Sequence, residues 1–470
     1  MNPLKKLANQ TAIYGLSSVI GRLLNYLLVP LYTRYFIPAE YGVVTEIYAY
    51  VAFLVVFLTY GMETAFFRFS KKENNINKVY STTLISILIT SGIFIAIVLI
   101  NSYSIATWIG YSNHKEYIEW FAIIVTLDAI SAISFASLRA EEKAIKFAII
   151  RLTNIFVNIG FNIYFIVYQE YGIEYIFISN LISSTVTILF FLPKMIKSSW
   201  IFEIKLWNKM IVYALPLLVA GFAGIINETI DRILLKHLLP NPDIASSEIG
   251  LYGAFYKISI IMVLFIQTFR FAAEPFFFAQ QNRSNSKKIY ADVMKYFVII
   301  TTTIFLIVVI FYDYIKYFIG KEYHDERGFL VVSILLLANL FLGIYYNLSV
   351  WYKLTDKTKY GAKISIFGAL ITIALNFILI PIIGFLGSAI ATLICYLSIT
   401  IISYLLGKKH YPIPYNIKRI CFYLFFMLCI YFVINIVELN PWINSIYLLV
   451  FISTIILFEK KKKTVISKPK

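Results

Sequence analysis

Arg22 stands about twelve residues from either end of an apolar run, 10–33, and Lys257 stands about eight residues, or about 12 Å, inside another, 249–270. A charge at such a depth in a membrane span costs a few kcal/mol, so its default reading is a group facing a wet cavity, not lipid. Arginine offers an anion a planar fork of donors and lysine a point charge. Asn25, almost one turn after Arg22, adds an amide, and Arg270 adds a cation at the expected cytoplasmic mouth of the run that holds Lys257. These four are the candidate substrate-binding residues.

Five acids form a second set. Glu63 and Glu274 end the runs 41–62 and 249–270 at corresponding points, Asp128 is in the middle of 117–138, and Glu228 and Asp231 lie in 210–235. They are candidate cavity acids, able to titrate with an entering proton or sodium ion. The competing reading is structural: Arg22 paired with Glu63 or Asp128, Lys257 with Glu228 or Asp231, and Glu228 with Arg232 four residues on along one helix face. Asn154, Asn158 and Asn227 fit helix bracing best.

What must position these residues follows from composition. Of 470 residues 60% are apolar and 14% charged, against about 45–50% and about 25% in soluble domains. That excludes a soluble enzyme on a single anchor, a disordered chain, and an outer-membrane barrel, whose strands would alternate over about ten residues. Apolar runs between charge clusters predict fourteen helices: 10–33, 41–62, 80–101, 117–138, 147–168, 173–193, 210–235, 249–270, 293–312, 328–351, 362–382, 386–406, 419–437 and 442–458. The fold class is an all-α polytopic membrane protein. Arg22 inside the first run argues that this helix is retained and is not a signal peptide.

The 42 Lys and Arg outnumber the 25 Asp and Glu. With the N-terminus inside, 33 of the 42 fall on the cytoplasmic side, six fall in outer loops, and Arg22, Arg232 and Lys257 lie within spans. The basic excess is therefore topological; both termini are cytoplasmic and nucleic acid is not a partner. Cys395, Cys421 and Cys429 sit in apolar runs as small hydrophobes, and His114, His237, His324 and His410 are scattered, so neither a metal nor another cofactor is expected. No G-x-x-x-x-G-K-[ST] occurs, which leaves an ion gradient or the membrane potential as the energy source.

The chain repeats itself. Ile13-Tyr14-Gly15-Leu16 matches Val212-Tyr213-Ala214-Leu215. Glu40-Tyr41-Gly42, with Tyr48, matches Glu248-Ile249-Gly250, with Tyr256. Glu63-Thr64-Ala65-Phe66-Phe67 matches Glu274-Pro275-Phe276-Phe277-Phe278. The order holds over six spans, which predicts two pseudo-symmetric six-helix lobes around a central cavity, 1–206 and 207–410. Residues 411–470 supply two further helices and a basic cytoplasmic tail. Two such lobes imply alternating access.

Residues 376–392, with Asn376, Pro381, Gly384, Gly387, Ser388, Ala389 and Ala391, resemble the span 11–12 hairpin of bacterial polysaccharide flippases. The opening Pro30-Leu31-Tyr32-Thr33-Arg34 through Glu40-Tyr41-Gly42, and Leu138-Arg139-Ala140 followed by Lys143, are similar as well. The family is the polysaccharide transporter branch of the multidrug/oligosaccharidyl-lipid/polysaccharide exporter superfamily. Pro30, Gly42, Gly384, Gly387 and Ala391 read as packing and turn positions, because small residues let membrane helices approach.

The resemblance implies a flippase, not an enzyme. It would carry undecaprenyl-pyrophosphate-linked oligosaccharide across the bacterial inner membrane for O-antigen (lipopolysaccharide) or similar surface polysaccharide. Membrane lipid, glycosyltransferases and a polysaccharide polymerase are the implied partners. A multidrug exporter or a lipid II exporter shares the architecture, although the latter should carry more basic residues in its cleft. The alternative from another class is a membrane glycosyltransferase, ligase or polymerase, whose acid or base would come from Asp313, Glu322, His324, Asp325 or Glu326 in the outer loop 313–327. Those residues read more simply as a solvated loop.

Overall fold

The computed structural model describes residues 19–466 apart from 71, 72, 74, 282, 356, 438 and 439. The start of the first expected span, with Ile13 to Leu16, lies outside the described residues, as do Lys5, Lys6, Lys71, Lys72, Lys468 and Lys470. The protein is an all-α multi-pass membrane protein: thirteen helices among the described residues are long and apolar enough to span a bilayer. Ahead of them, α1 is helical over 19–35 with one turn residue at Leu27. The others are α2 (Pro38–Ser70), α3 (Ile76–Ile100), α4 (Lys115–Ala140), α5 (Ala144–Tyr168), α6 (Glu174–Ile196) and α7 (Ile204–Leu238). They continue with α8 (Ile244–Phe278), α9 (Ser286–Ile310), α10 (Gly328–Leu354), α11 (Lys359–Ile383), α12 (Phe385–His410), α13 (Ile417–Val437) and α14 (Pro441–Glu459).

Local chemistry accounts for the boundaries that differ from expectation. α2 starts at Pro38, not Tyr41, because proline suits a first helical position and the Glu40 carboxylate accepts from the Ile37 amide at 3.1 Å. Residues 242–248, between the expected runs 210–235 and 249–270, are helical as well, since the helix containing α8 begins at Pro242. Between α11 and α12 the connection is one residue, Gly384, at φ 59° and ψ −141°. Only glycine adopts that backbone region without strain. The Ser388 hydroxyl donates to Asn376 Oδ1 at 2.9 Å across this hairpin, and a Cβ on Gly387 would come within 2.7 Å of Leu379.

The chain divides into two compact units, Met1–Gly250 and Leu251–Lys470. In the first, α7 packs against α2 beside the α3–α6 helices. Gly42 and Gly250, matched by the sequence repeat, meet there reciprocally: a Cβ on Gly42 would lie 1.8 Å from the Ser246 carbonyl oxygen, and one on Gly250 1.9 Å from that of Pro38. In the second, the last two helices join the packing through Glu459, which accepts from Lys295 of α9 at 2.5 Å and from Arg419 and Tyr423 of α13 at 2.8 Å each.

Candidate functional site: polar groups within the spans

Within the first unit, polar side chains converge between helices whose outer faces are apolar. Gly21 seats α1 against Ile155 of α5, since a Cβ there would come within 2.6 Å of that side chain. Arg22 and Asn25 follow on α1, both exposed. Arg22 lies in electrostatic range of Arg151 on α5, and Arg151 lies in range of Asp128 on α4. Asp128 accepts from the Ser184 hydroxyl of α6 at 2.8 Å. Close by, Asn180 donates to Tyr48 at 2.9 Å and Tyr32 to Asn162 at 2.9 Å, so α1, α2, α5 and α6 are cross-linked by side chains. Asn154 donates to Thr187 at 2.9 Å, the bracing expected of it. Two cations and one carboxylate within electrostatic range of one another leave a net positive charge, which suits an anion.

Arg151 lies inside the expected run 147–168 but close to Lys143 and Lys146, and it reads with those cytoplasmic cations instead of with the candidate set. It stands seven residues past Ala144, about two turns into α5, and counting from the helix start would have found it.

The remaining candidates are spread out. Glu63 pairs with Arg139 at the end of α4, and the Arg139 guanidinium also lies 4.8 Å over the Phe67 ring. In the second unit Glu274 pairs with Lys353 near the end of α10 and stands 3.8 Å from Arg270, whose guanidinium lies 4.0 Å over the Tyr346 ring. Two acids matched by the repeat thus hold the basic residue at the end of the helix two places further on. On α7, Asp231 and Arg232 are both buried; Arg232 pairs with the Asp231 carboxylate at 3.1 Å and donates to the Glu228 main-chain carbonyl. Asn227 is buried, Glu228 is exposed, and Lys257 is half-buried on α8.

Sequence reading missed a fully buried acid, Glu46, about two turns into α2. It accepts from the Tyr111 hydroxyl and lies 3.8 Å from Lys236 of α7, while Tyr50 contacts His237 at 3.1 Å. Its second carboxylate oxygen has no hydrogen-bond partner among the described residues. Scanning each run for every charge it holds would have exposed it, since Glu46 lies within 41–62.

The outer loop that an enzyme reading required is folded on itself. Arg327 grips Asp325 with Nε and Nη2 at 2.9 Å each, which holds that carboxyl below its ordinary range. Lys316 binds Asp313 at 2.7 Å, and His324 meets the Lys316 carbonyl at 3.0 Å.

Many spans, with polar groups turned between helices, define the class of a multi-pass membrane protein. A family model described as "Polysaccharide biosynthesis protein" matches residues 7–281, and the chain belongs to that family. No curated protein matches the chain. Among solved structures, the lipid II flippase MurJ in an inward closed conformation is similar over 97% of this chain and 99% of its own, at 18% identity and TM-score 0.75. An inward-facing MATE family multidrug resistance transporter of the MOP superfamily is similar over 85% of this chain and 94% of its own, at 14% identity and TM-score 0.67. At these identities the likeness shows the fold, which is that of flippases and transporters of this superfamily.

Proposed function

We propose that this protein moves an oligosaccharide linked to undecaprenyl pyrophosphate from the cytoplasmic to the outer leaflet of a bacterial inner membrane, for O-antigen or a similar surface polysaccharide. Two six-helix lobes, 1–206 and 207–410, would open alternately to either side, with 411–470 outside the repeat. The observation that carries the reading is the series of charges Arg22, Arg151 and Asp128 on α1, α5 and α4, within electrostatic range along the series, in a chain of a polysaccharide biosynthesis family. Cations at that depth suit a headgroup with roughly two negative charges, and Asn25, Lys257 and Arg270 are proposed as further substrate-binding residues. The matched pairs Glu63–Arg139 and Glu274–Lys353 support the two-lobe reading. A potential negative inside favours outward movement of an anion by about 2.3 kcal/mol per charge per 100 mV. Asp128, Asp231 and Glu228 are the acids proposed for coupling to protons or sodium.

The likeness to a lipid II flippase over nearly the whole chain favours lipid II as the second reading of the cargo. Complementation separates the two. In a strain that depends on this gene for surface polymer, Arg22→Ala should abolish polymer at equal membrane expression. Wild-type polymer levels would remove Arg22 from the mechanism, and rescue of a strain lacking its lipid II flippase would favour the second cargo.

A further inference from the structure

Four lysines from two separate connections meet around one hollow where α4 turns into α5 and α6 ends. The hollow measures about 520 Å³ and is lined by Lys143, Lys146, Lys194 and Lys197, with Glu141 and Ser198. Glu141 is shared: it pairs with Lys143 at 2.7 Å and with Lys194. Four ammonium groups against one carboxylate leave a formal surplus of three charges. Among the described residues, neither Lys146 nor Lys197 is within ion-pair distance of a carboxylate.

The preference of basic residues for cytoplasmic loops explains why these lysines occur in two inner connections. It does not explain why they converge on a hollow, since like charges left to solvent turn away from each other. A second observation points to a ligand. Ser198 lines the same hollow, and its hydroxyl oxygen, just beneath the surface, has no hydrogen-bond partner among the described residues. A buried polar group left unmade is costly, and an oxygen-bearing anion would satisfy it while neutralising the lysines. Lysine binds phosphate as a point charge, and the volume is in the range of small-ligand sites. Basic pockets between membrane helices on the cytoplasmic side take phosphorylated headgroups.

We infer that this hollow is an accessory binding site for a phosphate-bearing anion, separate from the Arg22–Arg151–Asp128 group. Free diphosphate and the phosphorylated headgroup of a membrane lipid share this chemistry. The site holds the anion against Lys146, Lys197 and Ser198, while Glu141 keeps Lys143 and Lys194 in place.

The test uses the full chain in nanodiscs. In phosphatidylcholine discs inorganic pyrophosphate is titrated and the thermal unfolding midpoint followed; in discs containing phosphatidylglycerol, lipid retention is read by native mass spectrometry. Pyrophosphate should raise the midpoint of the wild type and of Arg22→Ala alike. The triple variant Lys143→Gln/Lys146→Gln/Lys197→Gln should bind about tenfold or more weakly. Retained phosphatidylglycerol that pyrophosphate displaces identifies the lipid as the source; a midpoint shift without retained lipid identifies the free anion. The exposed single variants Lys197→Gln and Lys146→Gln should each weaken binding about threefold if the triple variant does not fold. Wild-type binding by these lysine variants in both arms, or loss of binding in Arg22→Ala, would overturn the site.

Discussion

At the scale of single residues, charge pairing decides what each acid can do. Glu141 lies between two spans, where burial pushes its carboxyl up but hydrogen bonds from Lys143, Lys194 and Ser137 outweigh that and hold it at about 2, against an ordinary 4.5. A depressed carboxyl stabilises the fold above its unfolded value, and that contribution is lost as pH falls from about 4.5 toward about 2. Melting curves in detergent should therefore drop more steeply over that window for the wild type than for Glu141→Gln; parallel profiles would mean that the pairing carries no stability. Glu46 gives the opposite case. Lys236→Met would strand a fully buried carboxylate and should cost about 3 kcal/mol, whereas Glu46→Gln/Lys236→Met should recover much of it. Unfolding titrations that rank the double variant below the single one would contradict the pairing.

At the scale of elements, small residues set how closely helices turn and cross. Gly384→Ala places a side chain at φ 59° and ψ −141° in the one-residue link between α11 and α12, and should cost about 1–3 kcal/mol in unfolding free energy. An unchanged midpoint would show that the hairpin closes differently. This turn was legible in the sequence because only Ile383-Gly384-Phe385 separates two apolar runs. The ends of α2 and α8 were less legible. Apolarity marks where a helix is greasy, but Pro38 with Glu40, and then Pro242, start the backbone helix well before the apolar stretch. Arg151 was hidden for another reason: it lies within the expected run 147–168 but close to Lys143 and Lys146, whose charge follows orientation. Glu46 was hidden because it stands at neither the middle nor the end of the run 41–62, and its partners Tyr111 and Lys236 are far along the chain.

At the scale of the whole molecule, the family and the fold agree with the sequence: an all-α multi-pass membrane protein of a polysaccharide biosynthesis family, with a fold similar to that of the lipid II flippase MurJ. The site residues were legible singly and not as a group, since residue spacing cannot reveal which charges from different helices face each other. Cargo is the central claim. It is tested most directly by reconstituting the purified protein in liposomes with a fluorescent undecaprenyl-pyrophosphate oligosaccharide and following quenching by a membrane-impermeant reagent. Wild type should move the label between leaflets faster than protein-free liposomes, with a faster rate when a potential drives the anion, and Arg22→Ala should fall to background. Equal rates with and without protein, or movement of lipid II alone, would contradict the account.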